Sequence, residues 1–357
     1  MREPAKLQKG RGAASNATGR FEAQQREAFD DGWDPGEQAP AKLETIVAIE
    51  AARTILSYND SPDLSFDRAI NTYRGCEHGC IYCYARPNHA YAGLSPGLDF
   101  ETRLFVKPNA AELLERELAA PGYQPATIVL GGVTDCYQPE ERERRVTRAV
   151  LEVLARAWHP VAIVTKSALV ERDLDLLAPM AAQGLAKVAV SLTTLDRTLA
   201  RRMEPRAAAP HRRLETLRVL SAAGVPAAVM TAPLIPALND HELEALLEAA
   251  AAAGARHAGY VLLRLPHEIA DLFQEWLAAH YPDRAARVMS LIRQARGGRD
   301  YDARFGARQR GEGPYAALIG QRFRAAARRL GLSGMSTRLD ASRFMRPVLP
   351  GGQLALF

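Results

Sequence analysis

Long apolar runs are missing from this 357-residue sequence, although 47% of its residues are hydrophobic. A membrane-spanning helix needs about 20 consecutive apolar residues, and no segment approaches that length. The polar stretch that begins at Met1 also lacks the apolar core of a signal peptide. We therefore expect no membrane partner and a cytoplasmic location.

Cysteines are few, and their placement limits what they can do. The sequence has four; Cys76, Cys80 and Cys83 follow one another with C-x3-C-x2-C spacing, whereas Cys136 lies far away. Three clustered thiols and one distant thiol do not form the pattern of a disulfide framework. A reducing compartment and a bound metal fit this distribution better.

Lysines are also scarce, so arginine carries most of the positive charge. The net charge is +5, but residues 284–330 contain twelve Arg and no Lys against three acidic residues, a local excess of nine positive charges. Such asymmetry is typical of a protein with an anionic partner such as DNA or RNA. The alternative is a composition rich in Arg and Ala throughout, which raises the arginine count everywhere.

Short apolar runs alternate with amphipathic helical patterns between about residues 67 and 265. This alternation predicts parallel strands joined by right-handed helical crossovers. No Gly-x-Gly-x-x-Gly motif follows the first strand, which disfavours a doubly wound dinucleotide-binding sheet and favours an α/β barrel, complete or partial. The expected strands are Ala69–Tyr73, Arg103–Val106, Thr127–Leu130, Val161–Val164, Lys187–Val190, Ala227–Met230 and Tyr260–Leu263.

The pattern divides the chain into three regions. Residues 1–45 are polar with few large apolar side chains, and we expect them to be mostly disordered. Residues 46–265 form the barrel, and residues 266–357 form a helical, Arg-rich C-terminal extension. Barrel chemistry collects on the loops after the carboxyl ends of strands, and the cysteine loop occupies that place after the first strand.

Three thiolates suit two kinds of metal centre. A structural zinc normally takes four protein ligands, and His78 or His89 would supply the fourth, but zinc sites usually combine separated ligand pairs. An iron–sulfur cluster held by three cysteines keeps one iron open for a substrate or cofactor. We therefore favour an iron–sulfur cluster over zinc.

The cysteine loop resembles that of the radical S-adenosylmethionine (SAM) superfamily. The spacing, the aromatic residues Tyr82 and Tyr84, and the place after a first strand carry this resemblance. It implies a partial (β/α)6 TIM-type barrel in which Cys76, Cys80 and Cys83 bind a [4Fe–4S] cluster whose fourth iron chelates SAM. It also implies an external flavodoxin- or ferredoxin-like one-electron donor, and a 5′-deoxyadenosyl radical that abstracts hydrogen from a substrate.

A closer resemblance is to the branch that contains spore photoproduct lyase and uncharacterised bacterial relatives, often labelled DNA repair photolyases. Four segments carry it, and with the strand–helix alternation they cover about residues 67–265. The segments are Asn71–Cys76, Thr134–Glu140, Thr165–Ser167 and Ala232–Pro236. Repair of a nucleic acid is the activity that this branch implies.

The resemblance also implies roles for residues that follow the predicted strands. Gly131 and Gly132 would let the backbone approach the SAM amino group, because small residues permit close contact. Thr134 and Asp135 follow them, with side-chain oxygens suited to an ammonium. The alternative is an ordinary turn between a strand and a helix.

Three further residues are candidates for contacts with SAM. Lys166 follows its strand directly and would pair with the SAM carboxylate, and Ser191 would bind the carboxylate or the ribose. Tyr84 would contact the adenine or the cluster. Each has a structural alternative: a solvated lysine, a strand-end serine and a packed tyrosine. Glu204 and Arg206 form a possible charge pair that would touch substrate or the SAM ribose.

Cys136 is a candidate catalytic residue. Spore photoproduct lyase uses a cysteine near this loop to return a hydrogen atom to its product radical, and Cys136 would be a relocated donor. When the Thr134–Asp135 segments are matched, however, the family's cysteine falls nearer Gly132. The alternative is a buried loop thiol.

Three functions remain open from the sequence. The first is a radical SAM enzyme that acts on nucleic acid, and the second is the same chemistry on a peptide or small metabolite, with the Arg-rich segment packed over the barrel mouth. The third is a non-catalytic, zinc-stabilised protein that binds nucleic acid.

Overall fold

The computed structural model describes residues 8–22, 43–335 and 338–349. The strands in these ranges are β1 (Ile46–Ile49), β2 (Leu56–Tyr58), β3 (Arg68–Ile70), β4 (Tyr73–Arg74), β5 (Arg103–Val106), β6 (Ile128–Leu130), β7 (Val161–Thr165), β8 (Ala186–Ser191), β9 (Ala227–Leu234), β10 (His257–Leu262) and β11 (Ser333–Gly334).

The α-helices in the same ranges are α1 (Asp99–Thr102), α2 (Ala110–Ala119), α3 (Glu141–Arg144), α4 (Val146–Arg156), α5 (Leu174–Ala182), α6 (Arg197–Met203), α7 (Pro210–Ala222), α8 (Leu243–Ala252), α9 (Ile269–His280), α10 (Pro282–Gln294), α11 (Ala307–Arg310) and α12 (Gly313–Arg329). Short 3-10 helices span Arg86–Ala92, Ala168–Asp173 and Asp240–Glu242. Among the described helices, none is long and apolar enough to cross a bilayer.

A mostly parallel sheet forms the centre of the fold. Among the described residues its strand order is β11-β10-β9-β8-β7-β6-β3-β2. Within that order, each strand from β3 to β10 pairs parallel with the next. The edges differ: β2 pairs antiparallel with β3, and the two-residue β11 pairs parallel with β10. Helices alternate with strands from α4, between β6 and β7, to α8, between β9 and β10.

The core lies between this sheet and the helices that follow its strands. Ile163, Val188 and Val229 are fully buried on neighbouring strands, and Leu154 of α4 and Leu246 of α8 are buried with them. Strands covered on both faces are expected to be mostly apolar, and these strands are so except for a few positions such as Lys187 near the start of β8. Thr165 and Ser191 are polar residues at the carboxyl ends of β7 and β8.

Two side chains bridge the carboxyl ends of β6 and β10. The Tyr84 hydroxyl donates a hydrogen bond to the Gly132 carbonyl after β6, and the Tyr84 ring lies 5.1 Å from the Arg264 guanidinium carbon after β10. The parallel strands with helices between them confirm the predicted α/β fold of the partial-barrel kind.

The predicted strand Arg103–Val106 lies outside the main sheet. It is β5 of a smaller sheet of order β1-β5-β4, in which it pairs parallel with β1 and antiparallel with β4. The chain between β3 and β6 therefore forms a side structure that carries the cysteine loop. Periodicity identified β5 as a strand, but strand pairing is not a local property of the sequence.

Residues 8–22, which we call the N-terminal strap, pack against the cysteine loop. The amides of Gly12 and Ala13 each donate to the Glu101 carboxylate at 2.9 Å. A Cβ on Gly12 would lie 1.8 Å from the Gly79 carbonyl oxygen, so this approach requires glycine. The expectation of disorder over residues 1–45 therefore does not hold for the strap; residues 1–7 and 23–42 lie outside the described residues.

The C-terminal extension, which we expect from the sequence to be helical, contains the helices α9, α10 and α12. Much of its arginine charge is used within the molecule. Arg296 is buried and donates to the carbonyls of Leu262, Leu263 and Ala307. Ion pairs join other arginines to carboxylates: Arg293–Asp300, Arg304–Asp302, Arg304–Glu312, Arg308–Asp63, Arg322–Glu244 and Arg329–Glu248.

Replacing Glu101 by Gln tests what holds the strap and the cysteine loop together. Glu101 and its partner Arg86 are both fully buried, 2.5 Å apart. We expect Glu101→Gln to lower the free energy of unfolding by about 3 kcal/mol, because a buried guanidinium loses its counter-ion. Urea denaturation followed by circular dichroism measures this change.

Glu115→Gln is the matched control, since Glu115 pairs with Arg156 at exposed positions 3.2 Å apart. An exposed pair contributes less than about 1 kcal/mol. If both variants lost the same free energy of unfolding, the buried pair would contribute no more to stability than the exposed pair.

Candidate active site

A cavity of about 290 Å³ opens at the carboxyl ends of the parallel strands. Most of the predicted site residues line it: Cys76, Cys80, Cys83, Tyr84, Gly131, Gly132, Asp135, Lys166 and Ser191. Apolar side chains of Leu64, Phe66 and Met230 also line the cavity. Arg264 and Gln309 line it with polar groups, on the side of the C-terminal extension. The predicted site residues, which are up to 115 positions apart in sequence, therefore share one concave site.

The cysteine loop is held by its own backbone and by Arg86. The Cys76 amide donates to the Phe100 carbonyl at 3.0 Å, and the Cys83 amide donates to the Cys80 carbonyl at 3.2 Å. Arg86 donates to the Cys80 and Gly79 carbonyls at 2.9 and 3.1 Å. These bonds fix the loop so that all three thiols line the cavity. Sequence reasoning missed Arg86, whose only signal was an arginine three residues after the last cysteine of the loop.

The donor set fits an iron–sulfur cluster. All four cysteines of the chain are free thiols, and within the described residues no group of three or more Cys, His, Asp or Glu side chains converges tightly enough for a single metal ion. Burial raises the pKa of Cys76 well above its usual range and that of Cys80 to about 12. Buried thiolates need a strong positive partner, which a cluster supplies and an empty apolar cavity does not.

The two histidines considered as zinc ligands have other surroundings. His78 lines the main cavity, with its Nδ1 atom 3.3 Å from the Asp135 carboxylate. His89 lies on a second cavity of about 250 Å³, and its Nε2 atom is 2.9 Å from the Arg103 carbonyl oxygen. Burial lowers the pKa of His89 to about 4. Neither arrangement builds the four-ligand site that a structural zinc takes.

The Asp135 carboxylate accepts hydrogen bonds from three groups around the site. Its carboxylate accepts from the Thr165 hydroxyl and the Lys166 amide, each at 2.7 Å, and from the Tyr137 amide at 2.9 Å. Burial alone would raise its pKa, but His78 and these hydrogen bonds more than offset it and hold the pKa of Asp135 well below its usual range. Asp135 is therefore an anion that fixes the ends of β6 and β7 at the cavity.

Gly131 and Gly132 follow β6, and the space around their Cα atoms differs. Gly131 has a φ of +83°, and a Cβ there would lie 2.0 Å from the Val164 carbonyl oxygen. A Cβ on Gly132 would meet its nearest atoms at 3.9 Å, an ordinary contact. The first glycine is thus required by the backbone, whereas the second leaves open space beside the cavity.

Lys166 is a half-buried cation at the cysteine end of the cavity. Its Nζ atom lies 5.8 Å from the centre of the Tyr82 ring. Burial lowers its pKa, but the nearby Cys80 and Glu204 outweigh burial, so the pKa of Lys166 is raised overall. The side chain therefore stays protonated over the neutral pH range and presents a fixed positive charge.

Glu204 and Arg213 form a buried ion pair behind Tyr82, with each side chain at most 2% exposed. Glu204 also accepts from the Tyr82 hydroxyl and, at 2.7 Å, from the Thr193 hydroxyl. Arg213 donates to the Ser191 carbonyl at 3.0 Å. This network fixes both the ring beside Lys166 and the cavity-lining Ser191.

Glu204 does not pair with Arg206, contrary to the charge pair considered from the sequence. Arg206 instead lies 2.9 Å from Glu77 of the cysteine loop. Sequence reasoning also missed Arg213, because the nine residues between Glu204 and Arg213 give no local signal for their contact.

Two predicted site residues lie away from the main cavity. The Thr134 hydroxyl donates to the Tyr73 carbonyl at 3.1 Å, and Thr134 lines the second cavity. Cys136 is 2% exposed and belongs to the hydrophobic core, where burial raises its pKa. The proposed hydrogen-donor role of Cys136 is therefore not supported by its position, because residues 134–136 point alternately to different surroundings.

Comparisons with known proteins agree with this geometry. The sequence model of the Radical SAM superfamily matches residues 70–250. Uncharacterised proteins of Mycobacterium bovis and Mycobacterium tuberculosis are 39% identical over 233 residues, covering 65% of this chain and 68% of theirs. An uncharacterised protein of Methanocaldococcus jannaschii is 28% identical over 173 residues, covering 48% of this chain and 62% of its own length.

Solved structures of spore photoproduct lyase share the fold. The lyase complexed with dinucleoside spore photoproduct superposes with a TM-score of 0.57 at 16% identity, covering 81% of each chain. A mutant of the same lyase gives a TM-score of 0.58 at 15% identity over 87% of this chain and 89% of its own. At this level of identity the similarity concerns the fold.

The two glycines after β6 offer a matched pair of variants. We expect Gly131→Ala to lower the free energy of unfolding by at least about 2 kcal/mol, because alanine disfavours the left-handed conformation and its Cβ would strike the Val164 carbonyl. Gly132→Ala should stay within about 1 kcal/mol of the original protein. Thermal unfolding of the two variants makes the comparison, and similar losses would contradict the assignment.

Proposed function

The chain belongs to the radical SAM superfamily, and from this we propose that it is an enzyme that removes a hydrogen atom from a nucleic-acid substrate in a repair-like reaction. Members of the superfamily use a [4Fe–4S] cluster and SAM. The observation that carries the proposal is the convergence of three free thiols and a half-buried lysine on one cavity at the carboxyl ends of parallel strands. Ligand sites of α/β barrels lie at this end.

Cys76, Cys80 and Cys83 would hold the cluster through their sulfur atoms, and three ligands leave one iron available to SAM. The cluster and SAM, when bound, supply the one-electron chemistry that removes a hydrogen atom from the substrate. An external flavodoxin- or ferredoxin-like protein would supply the electron. The fixed loop geometry keeps the thiols in place, because Arg86 and the strap hold the loop from behind.

The residues around the thiols fit SAM. Lys166 would bind the SAM carboxylate, since it is a protonated amine beside Cys80. The open space at Gly132 would admit the methionyl amino group to the backbone after β6. The Ser191 hydroxyl, whose nearest acceptor is the Ala232 carbonyl at 3.4 Å, would bind the carboxylate or ribose. Tyr84, the neighbour of Cys83, would contact the cluster.

Nucleic acid is the proposed substrate because the fold is shared with a lyase whose structure contains dinucleoside spore photoproduct. The cavity also combines the aromatic side chains of Phe66 and Tyr84 with the cation Arg264. Aromatic surfaces for bases and cations for phosphates are the usual elements of nucleic-acid binding.

A second candidate is the same chemistry on a peptide or small metabolite. It is favoured by the C-terminal extension, which packs over the cavity mouth: Arg308 lies 2.6 Å from Asp63, and Gln309 lines the cavity. With much of the extension's charge paired internally, a long anionic polymer has fewer free cations to contact.

Metal analysis after anaerobic reconstitution tests the cluster. We expect about four iron and four sulfide per chain, and loss of at least half of both in Cys76→Ala, Cys80→Ala or Cys83→Ala, because each thiolate is a ligand. Cys136→Ala is the control and should keep its full iron and its product turnover, because Cys136 lies in the core. Colourless protein with one zinc per chain would contradict the proposal.

Salt-dependent binding tests the substrate class. We expect a fluorescently labelled oligonucleotide to bind the reconstituted protein at ~50 mM salt and to dissociate as salt rises, since phosphate contacts release counterions. Fluorescence anisotropy measures this. Undetectable binding of both DNA and RNA at ~50 mM salt would favour the peptide or metabolite candidate.

A further inference from the structure

Arg264 follows β10 in the cavity wall, and it forms no ion pair with a carboxylate of the described residues; Asp63 acts on its charge only from a longer range. A guanidinium has five N–H donors. For the part of the chain that the structure describes, Arg264 makes one long hydrogen bond, from Nη2 to the Tyr301 hydroxyl at 3.4 Å, and its buried Nε has no acceptor. No carboxylate lies within ion-pair distance of it among the described residues.

Arg86, Arg213 and Arg296 are fully buried and have protein partners, whereas Arg264 is half-buried with a buried Nε atom that has none. Arg86 has Glu101 and Arg213 has Glu204, while Arg296 donates to three backbone carbonyls. Burying a charge without a partner is costly, so these arrangements are the expected ones. Arg264 departs from them at the wall of a cavity, where a ligand can supply the missing anion.

The second cation of the cavity has acidic neighbours. Lys166 is influenced by Cys80, Glu204 and Asp135, all at the cysteine end of the site. Arg264 instead lies beside Tyr84, Tyr301 and Gln309, on the side formed by the C-terminal extension. The cavity therefore has two separate cationic positions, which suit two different anionic groups.

The surroundings of Arg264 indicate which kind of anion fits. Its guanidinium carbon lies 5.1 Å from the Tyr84 ring centre, and Tyr84 is 46% exposed, so the other ring face is available to a ligand. Phe66 and Leu64 line the same cavity. A planar base beside the aromatic side chains and a phosphate on the guanidinium fork together describe a nucleotide unit.

We propose that Arg264 binds a phosphate group of the nucleic-acid substrate, next to the nucleotide that stacks on Tyr84. This inference rests on the proposed function, because it assigns the substrate contact of the same site. Arg264 positions the substrate and takes no part in binding the cluster. In this assignment Lys166 binds the SAM carboxylate and Arg264 binds the substrate phosphate.

The test uses the full, anaerobically reconstituted chain and a labelled single-stranded oligothymidylate of about ten nucleotides. We expect Arg264→Gln to weaken oligonucleotide binding about tenfold or more, the range for loss of a charge-assisted hydrogen-bonding pair. Arg218→Gln is the charge-matched control, since Arg218 is exposed on α7 and pairs with Glu215. That variant should bind like the original protein.

A methylphosphonate scan locates the contact. One neutral methylphosphonate linkage at the contacted position should weaken binding to the original protein but not to Arg264→Gln, because both changes remove the same interaction. Additive losses at every position would overturn the proposal. It would also be overturned if the original protein bound no oligonucleotide, or if Arg264→Gln left oligonucleotide affinity unchanged.

Equilibrium dialysis with SAM separates the two anion sources. If Arg264→Gln loses affinity for SAM and keeps affinity for the oligonucleotide, Arg264 serves the SAM carboxylate and the phosphate assignment is wrong. Iron and sulfide content, measured on the same preparations, reports on the proposed function independently. A protein with its cluster and SAM affinity but no oligonucleotide contact at Arg264 fails this inference alone.

Discussion

The buried ion pair between Arg86 and Glu101 is the interaction on which the candidate site depends most. Arg86 donates hydrogen bonds to two carbonyls of the cysteine loop, those of Gly79 and Cys80. It also donates to the Pro96 and Gly97 carbonyls, which precede α1. Glu101 balances that charge and accepts two amides of the N-terminal strap. Three segments distant in sequence are thus fixed around one pair of opposite charges. A loop with three thiols needs such external support, because its glycines favour many conformations.

Elsewhere around the cavity, other buried charges are also compensated by several hydrogen bonds or an opposite charge. Asp135 joins the ends of β6 and β7, and the Glu204–Arg213 pair holds Tyr82 and Ser191. Because most of these charges are compensated internally, the cavity contains few groups free to meet a ligand. Lys166 and Arg264 line it in different surroundings, and under the proposed function they would bind two different anions.

Much of the fold could be predicted from the sequence because its signals are local. Buried parallel strands are apolar runs, and β7, β8 and β9 were placed within a few residues for that reason. The cysteine spacing identified the three thiols of the cavity, and Lys166 was singled out by its position after a strand together with the family resemblance.

The remainder depends on contacts that no local pattern records. The strap is polar and small, and its order comes from Glu101, about 88 residues later in the chain. The placement of β5 in a side sheet depends on its pairing with β1 and β4. Thr134 and Cys136 flank Asp135 in sequence but face other surroundings, since neighbouring side chains of an extended loop point in different directions. Arg264 had no signal, because its significance lies in the partner that it lacks among the described residues.

Electron paramagnetic resonance of the reduced, anaerobically reconstituted protein, recorded with and without SAM, shows whether the three thiols hold a cluster that binds SAM. We expect the signal of a reduced [4Fe–4S] cluster whose g-values shift when SAM is added, because three cysteine ligands leave one iron for SAM. A cluster signal that SAM does not change, or a protein that forms no such cluster, would contradict this expectation.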